Sequence, residues 1–220
     1  MPAMKHARAT LLATAAAALL IAGCGNSSAP PASIGTEHIS AKATAGRIAG
    51  LRPYLVGRGE ETGFDIFGTV TTDATSLDWA EIPGLNPART LQEVARLRAE
   101  GFIGGVSQQL VGVGDPGAGV STVARFSNPT GAAQAEGELT HQFVKTYNRL
   151  RHQPGQFPVP GIPGATGVFA LTHQGSAAKI IWVEGNCVLS ISNSSRLRSL
   201  ETQIIAAAQA IYTRTGGKCS

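Results

Sequence analysis

Three short apolar runs in the C-terminal half of the chain constrain its fold most strongly. They cover residues 165–173, 177–184 and 187–192. Only Gln174-Gly175-Ser176 and Gly185-Asn186 separate them, and turns this short join neighbouring antiparallel strands. The pattern therefore predicts a β-meander. In its third strand Cys187, Leu189 and Ile191 share one face, which we expect to lie against the core.

Capping residues and helical periodicity predict two helices in the middle of the chain. Thr90-Leu91-Gln92-Glu93 matches a capping box with Thr90 as the N-cap, and Gly101 ends this helix. A longer helix begins at Asn128, with Pro129 at the first helical position, where its missing N–H costs little. The apolar stripe of this longer helix consists of Leu139, Phe143, Tyr147 and Leu150.

A third helix closes the chain, with Ser195 as its predicted N-cap and Gly216-Gly217 at its end. Its apolar stripe consists of Leu197, Leu200, Ile204, Ala208 and Ile211. A short helix or turn is predicted over residues 47–55, and further strands over 64–71, 102–113 and 120–126. Because helices alternate with antiparallel strand pairs, we expect an α+β fold: an antiparallel sheet with helices packed on one face.

The N-terminus has the order of an export signal. Lys5 and Arg8 precede an apolar run of 12 residues over 11–22, whereas a membrane span needs about 20. Leu20-Ile21-Ala22-Gly23-Cys24 closes the run and resembles the lipobox of bacterial lipoproteins. The resemblance implies a signal peptide over residues 1–23 and a diacylglyceryl group on Cys24, which would hold the protein at the extracytoplasmic face of the cell membrane. The alternative is an ordinary cleaved signal that ends near a cysteine.

Composition divides the remainder of the chain in two. Residues 24–45 are mostly small and polar, which predicts a disordered, lipidated tether, and residues 46–220 are expected to form a single α+β domain. Removal of residues 1–23 takes away Lys5 and Arg8 and no acidic residue, so the net charge falls from +4 to +2. No later segment clusters lysine and arginine with aromatic residues, so we expect no nucleic-acid partner.

The chain has three cysteines. If Cys24 carries the lipid, Cys187 and Cys219 remain as the other pair, and outside the cytoplasm an even remainder favours a disulfide. The bond would close a loop of about 33 residues and stabilise the fold by a few kcal/mol. The alternative is a buried thiol at Cys187 and a free thiol at Cys219.

Several motifs of cofactor and catalytic sites are incomplete or absent in the sequence. Residues 112–117 spell G-x-G-x-x-G, but a strand is predicted to follow, whereas a dinucleotide site needs a helix there. We interpret this segment as a hairpin loop and expect no cofactor. The sequence also lacks a G-x-S-x-G nucleophile elbow, an H-E-x-x-H motif and cysteines at metal-binding spacing, so no catalytic residue and no metal site are assigned.

Isolated polar residues leave one catalytic alternative. His141, His152 and His173 are far apart in sequence and would meet only through the tertiary fold. The acidic pairs Glu60-Glu61 and Glu136/Glu138 are expected in a loop and on a solvated helix face, and general acid–base catalysis by them has no support from the sequence.

The loop Pro158-Val159-Pro160-Gly161-Ile162-Pro163-Gly164-Ala165 is stiff and apolar. One interpretation is a crossover that packs over the end of the sheet. The other is the rim of a binding cleft or a partner contact, for which the candidate residues are Pro160, Ile162 and Pro163.

The order of these elements resembles that of uncharacterised lipoproteins of actinobacteria and their relatives. The likeness is carried by residues 97–102, 120–126, 161–167 and 180–188. It covers the C-terminal two thirds of the chain and supplies no catalytic residues.

Two functions from different classes follow. The first is a membrane-anchored, non-catalytic binding or sensor module of the cell envelope, which takes a small apolar ligand or an envelope protein. The second is an envelope hydrolase of unidentified type that uses His141, His152 or His173.

Overall fold

The computed structural model describes residues 48–73, 75–80, 87–114, 116–149, 153–172, 175–196 and 199–219. The predicted signal peptide, Cys24 and the tether lie outside the described residues, as do His152 and His173. No helix among the described residues is long and apolar enough to cross a membrane.

Within the described part of the chain, seven antiparallel strands form one sheet in the order β1-β2-β3-β7-β6-β5-β4. The strands are β1 Phe64–Asp73, β2 Phe102–Gly112, β3 Ala118–Phe126, β4 Gln153–Phe157, β5 Thr166–Thr172, β6 Gly175–Glu184 and β7 Cys187–Ser195. The predicted meander is therefore confirmed as β5, β6 and β7, and the strands expected near residues 64, 102 and 120 are confirmed as β1, β2 and β3.

The sequence pattern does not predict the edge strand β4, which lies in the proline-rich segment after the long helix. Pro154 is tolerated there because an edge strand need not donate every backbone hydrogen bond. Phe157 and Phe169 each lie over a glycine on the neighbouring strand, since a Cβ on Gly167 or Gly155 would collide with these rings. An aromatic ring over a glycine supplies the packing that the missing side chain of the glycine cannot give.

Four α-helices and one 3₁₀ helix complete the fold of the described residues. They are the 3₁₀ helix Ala49–Tyr54, α1 Ser76–Ala80, α2 Pro87–Ala99, α3 Pro129–Arg149 and α4 Glu201–Thr215. The predicted start of α3 is confirmed, because the backbone N–H of Gly131 donates to Asn128 Oδ1 at 2.9 Å. The predicted turn or short helix over residues 47–55 corresponds to the 3₁₀ helix.

Two predicted helix starts are wrong. The helix expected from Thr90 begins at Pro87, so Thr90 lies within its first turns and is not the N-cap. Ser195 does not cap α4: it is the last residue of β7 and pairs with Ser176, so its backbone is extended and α4 begins only at Glu201. The predicted end of α4 is confirmed at Gly216, whose φ of 65° is the left-handed conformation of a helix C-cap.

The α+β class is confirmed, but the helices cover both faces of the sheet and not one. Ile180 and Trp182 pack with Ile204 and Ile211 of α4, whereas Ile181 packs on the opposite side with α2 and α3. Neighbouring residues of a strand point to opposite faces, so β6 is apolar on both. We call the side covered by α4 and the 3₁₀ helix the α4 face, and the side covered by α1, α2 and α3 the α3 face.

The predicted disulfide between Cys187 and Cys219 is present, with the two Cα atoms 5.8 Å apart. Both cysteines are buried on the α4 face. The backbone N–H of Asn186 also donates to the carbonyl of Cys219 at 3.3 Å. The bond thus fastens the segment after α4 to the start of β7.

Candidate functional site

One row of side chains crosses the whole sheet on the α3 face, and the helices cover only part of this row. The row is set by directly paired residues: Phe67, Gln109, Val120, Ser192, Lys179, Val168 and Gln156, on β1, β2, β3, β7, β6, β5 and β4. Val168 is 0% exposed, the next three residues towards β1 are partly exposed, and Phe67 at the far end is 60% exposed. The helices therefore cover this row on one side of the sheet and leave its β1 side open.

Helix α3 forms the boundary on the covered side. Its residues Phe143, Val144 and Tyr147 pack over Val168 of β5 and over neighbouring small residues of β5 and β6. Because α3 lies over these strands, β1, β2, β3 and β7 keep part of their α3 face accessible. We call this accessible part the open face; its central row consists of Phe67, Gln109, Val120 and Ser192.

A second row of the open face consists of hydroxyl side chains. Its members are Thr71, Ser107, Thr122 and Ser190, on β1, β2, β3 and β7. The hydroxyls of Thr122 and Ser190 lie 2.8 Å apart and share a hydrogen bond, and Thr71 is exposed. Ser190 is buried, so the accessible hydroxyls of this row are those of Thr71, Ser107 and Thr122, each of which can both donate and accept.

The outer row of the open face is largely apolar or already hydrogen-bonded. It consists of Asp65, Val111, Ala118 and Ser194. Asp65 Oδ1 accepts from the backbone N–H of Ile66 at 2.8 Å, and Ser194 Oγ donates to the carbonyl of Ala118 at 3.2 Å. Val111 is 41% exposed, which makes it, with Phe67, an accessible apolar contact.

Trp79 of α1 bounds the open face beyond the hydroxyl row. Its indole lies so close over Gly105 of β2 that a Cβ at this glycine would collide with it. The indole also packs against Phe102, with ring centroids 5.5 Å apart. The open face is thus bounded by α3 on one side and by Trp79 of α1 on another.

Lys179 of β6 lies where the covered and open parts of the central row meet. Its neighbours in the row are the buried Val168 and the partly exposed Ser192. Burial lowers the pKa of its ammonium to about 8. No described carboxylate lies within ion-pair distance of this ammonium. A partly exposed lysine whose ammonium is desolvated is a candidate for contact with a ligand.

The α4 face carries buried polar groups that bind to one another. Glu184 is 2% exposed and accepts from Trp182 Nε1 at 2.8 Å and from Thr215 Oγ1 at 3.0 Å. Burial raises the pKa of the Glu184 carboxyl, and these two hydrogen bonds oppose the rise. Ser121 Oγ accepts from the backbone N–H of Val56 at 3.1 Å. These contacts join the sheet to α4 and to the segment after the 3₁₀ helix, so their role is structural.

The proposed rim of the proline loop is on the α4 face, away from the open face. Ile162 is 4% exposed and belongs to the core with α4, while Pro160 and Pro163 are exposed. Gln209 Nε2 of α4 donates to the carbonyl of Pro160 at 2.6 Å. These contacts agree with the interpretation of the loop as a crossover that packs over the end of the sheet. Ligand binding at Pro160 or Pro163 stays a prediction.

The remaining predicted positions are dispersed. The backbone N–H of Gly112 donates to the carbonyl of Gly117 at 2.9 Å, which confirms that this glycine segment joins β2 to β3 as a hairpin.

His141 is exposed on α3. Glu60 pairs with Arg214, whereas Glu61 is buried and accepts a hydrogen bond from Asn193. The described residues contain no cluster of three or more histidine, cysteine and acidic side chains that could hold a metal ion.

Comparison with known proteins gives little guidance. No family model and no curated protein matches the sequence. Among solved structures, the extracellular domain of PknH from Mycobacterium tuberculosis is similar, with 12% sequence identity and a TM-score of 0.37. The similarity covers 69% of this chain and 86% of that domain. At this level it transfers neither a family nor an activity.

Proposed function

We propose that this protein is a lipid-anchored, extracytoplasmic binding module and that the open face is its ligand site. The single observation that carries the proposal is the partial cover of the α3 face. Val168 at one side of the central row is fully buried, and Phe67 at the other is 60% exposed. Accessible apolar side chains beside a row of hydroxyls are typical of a surface that contacts a ligand.

The anchor is supported by the lipobox-like sequence that ends at Cys24. The disulfide between Cys187 and Cys219 agrees with an oxidising compartment outside the cytoplasm. Metabolic labelling with an alkyne fatty acid tests the anchor. We expect wild type to be labelled and Cys24→Ser to be unlabelled, and equal labelling of the two would contradict the anchor.

Native mass spectrometry of protein extracted from its host in mild detergent tests the ligand site. Val120→Trp places an indole in the centre of the open face, where the native side chain is partly exposed. Thr213→Trp is the control, because Thr213 is exposed on α4 on the other side of the sheet.

We expect wild type and Thr213→Trp to carry a bound molecule and Val120→Trp to lose it while unfolding at the same temperature as wild type. A ligand retained by folded Val120→Trp would contradict the assignment of the open face. Spectra of wild type without any bound molecule would contradict the binding function itself.

A further inference from the structure

The position and charge of Lys179 indicate the chemical class of the ligand that the open face would bind. Its strand neighbours Ala178 and Ile180 are buried in the α4-face core, so the lysine side chain belongs to the α3 face. There it pairs across the sheet with Val168, which lies under α3, and with Ser192, which lies on the open face. The lysine side chain therefore leaves the sheet where the part covered by α3 meets the open face.

The charges around Lys179 leave its ammonium without a carboxylate partner. The two glutamates in the middle of α3 bond to their own helix: Thr140 Oγ1 donates to Glu136 at 3.4 Å, and Gln142 Nε2 donates to Glu138 at 3.1 Å. Asp65 lies on β1, four strands away from β6, or roughly 19 Å at the usual strand spacing. Lys179 is therefore a positive charge beside the open face that no described carboxylate neutralises.

A hydroxyl donor lies on the strand next to this charge. Ser192 is partly exposed and is paired with Lys179, whereas Ser190, one row further along β7, is 4% exposed and shares its hydrogen bond with Thr122. An ammonium beside a hydroxyl group suits a carboxylate or phosphate group, whose oxygens accept from both. The lowered pKa of Lys179 agrees with a cation that burial has deprived of water and that an anion would stabilise.

The other side of the open face is suited to an apolar chain. Val120 lies two strands from Lys179, or roughly 10 Å, and Phe67 lies two strands further. Val111 adds a further exposed apolar side chain in the outer row. A molecule with one anionic end and an extended apolar chain would contact the lysine and these side chains together.

We propose that the open face binds an amphiphilic anion, with its carboxylate or phosphate group on Lys179 and its apolar chain across Val120 towards Val111 and Phe67. This inference depends on the proposed binding function and adds the class of ligand to it.

Isothermal titration calorimetry of the mature chain with four probes tests this inference. The probes are dodecanoate, dodecyl phosphate, dodecanol and inorganic phosphate, each below its micelle-forming concentration. Lys179→Met removes the charge beside the open face, and Lys145→Met, on the exposed side of α3, is the matched control.

We expect at least one of the two amphiphilic anions to bind about tenfold or more tightly than dodecanol and inorganic phosphate. Lys179→Met should lose about tenfold or more of this affinity, while Lys145→Met should keep it. The tighter of the two anions identifies the head group as carboxylate or phosphate.

Two results would overturn the inference and separate it from the proposed function. Equal binding of dodecanol and the anions, unchanged by Lys179→Met but lost in Val120→Trp, would reject the anion and keep the open face as a site. Binding of no probe to wild type would reject the amphiphilic anion, and the native spectra of Val120→Trp would then decide the open face independently.

Discussion

Lys179 reduces the stability of the folded protein. Burial disfavours its charged form, and no described carboxylate offsets that cost. An apolar side chain of similar length at this position avoids the cost of burying an unpaired charge. Functional sites often hold residues that reduce the stability of the fold.

Lys179→Met should therefore be more stable than wild type at pH 7, by on the order of 1 kcal/mol, or roughly 2–4 °C in Tm. The folded-state pKa of about 8 lies below the usual value of an unfolded lysine, so the unfolded state binds more protons between these values. Wild-type stability should rise as pH increases through this window, and the advantage of Lys179→Met should shrink.

Thermal unfolding of both variants at pH 7 and pH 9.5 checks the sign. Lys145→Met is the control, since Lys145 is exposed. A Lys179→Met variant that is less stable than wild type at pH 7 would mean that the ammonium makes a stabilising contact in the unliganded protein.

Among the helices and strands, the sequence was most informative where local geometry decides the structure. The Asn128-Pro129 pair predicted the start of α3 correctly. The same pair of residue types occurs at Asn86-Pro87, and it could have placed the start of α2 at Pro87 instead of at Thr90. Ser195 was misread because a serine suits either a cap or a strand end, and only its pairing with Ser176 decides between them.

The disulfide is the element that we expect to contribute most to holding the end of the chain. It closes a loop with a sequence separation of 32, for which the chain-entropy model gives about 3–4 kcal/mol. The paired substitution Cys187→Ala and Cys219→Ala should reduce the free energy of unfolding by roughly that amount, measured by urea denaturation.

Reduction of the wild-type disulfide should give the same loss as the paired substitution. An unchanged urea midpoint in both experiments would show that the contacts of Tyr54 and Arg214 hold the C-terminal segment without the bond. Tyr54 donates to the carbonyl of Lys218 at 2.5 Å, and Arg214 donates to the carbonyl of Leu55 at 2.6 Å.

At the scale of the whole domain, the two faces of the sheet have different roles. The α4 face is closed by α4, the 3₁₀ helix and the disulfide, and buried polar groups such as Trp182 and Glu184 bind to one another there. The α3 face is closed over β5 and β6 and around Ala124 and Val188, and it is open along the central row of β1, β2 and β3. The proposed ligand site thus lies on the less completely covered face.

The class of fold followed from the sequence, but the open face did not. Strand alternation predicts which residues share a face, yet it does not predict which strands α3 covers. The central row became visible only through the register that joins Gln109, Val120, Ser192 and Lys179 across four strands. The proline loop is recognisable because its residues are consecutive, whereas the residues of the central row lie on separate strands and are far apart in the sequence.

The central claim, that ligand binds on the open face, is tested most directly by amide chemical-shift mapping. The isotope-labelled mature chain is titrated with the tighter anionic probe, and the perturbed backbone amides are assigned. We predict the largest shifts at Gln109, Val120, Lys179 and Ser192, and small shifts at Gly161 and Ile162 of the proline loop. Largest shifts in the proline loop, with an unperturbed central row, would contradict the account.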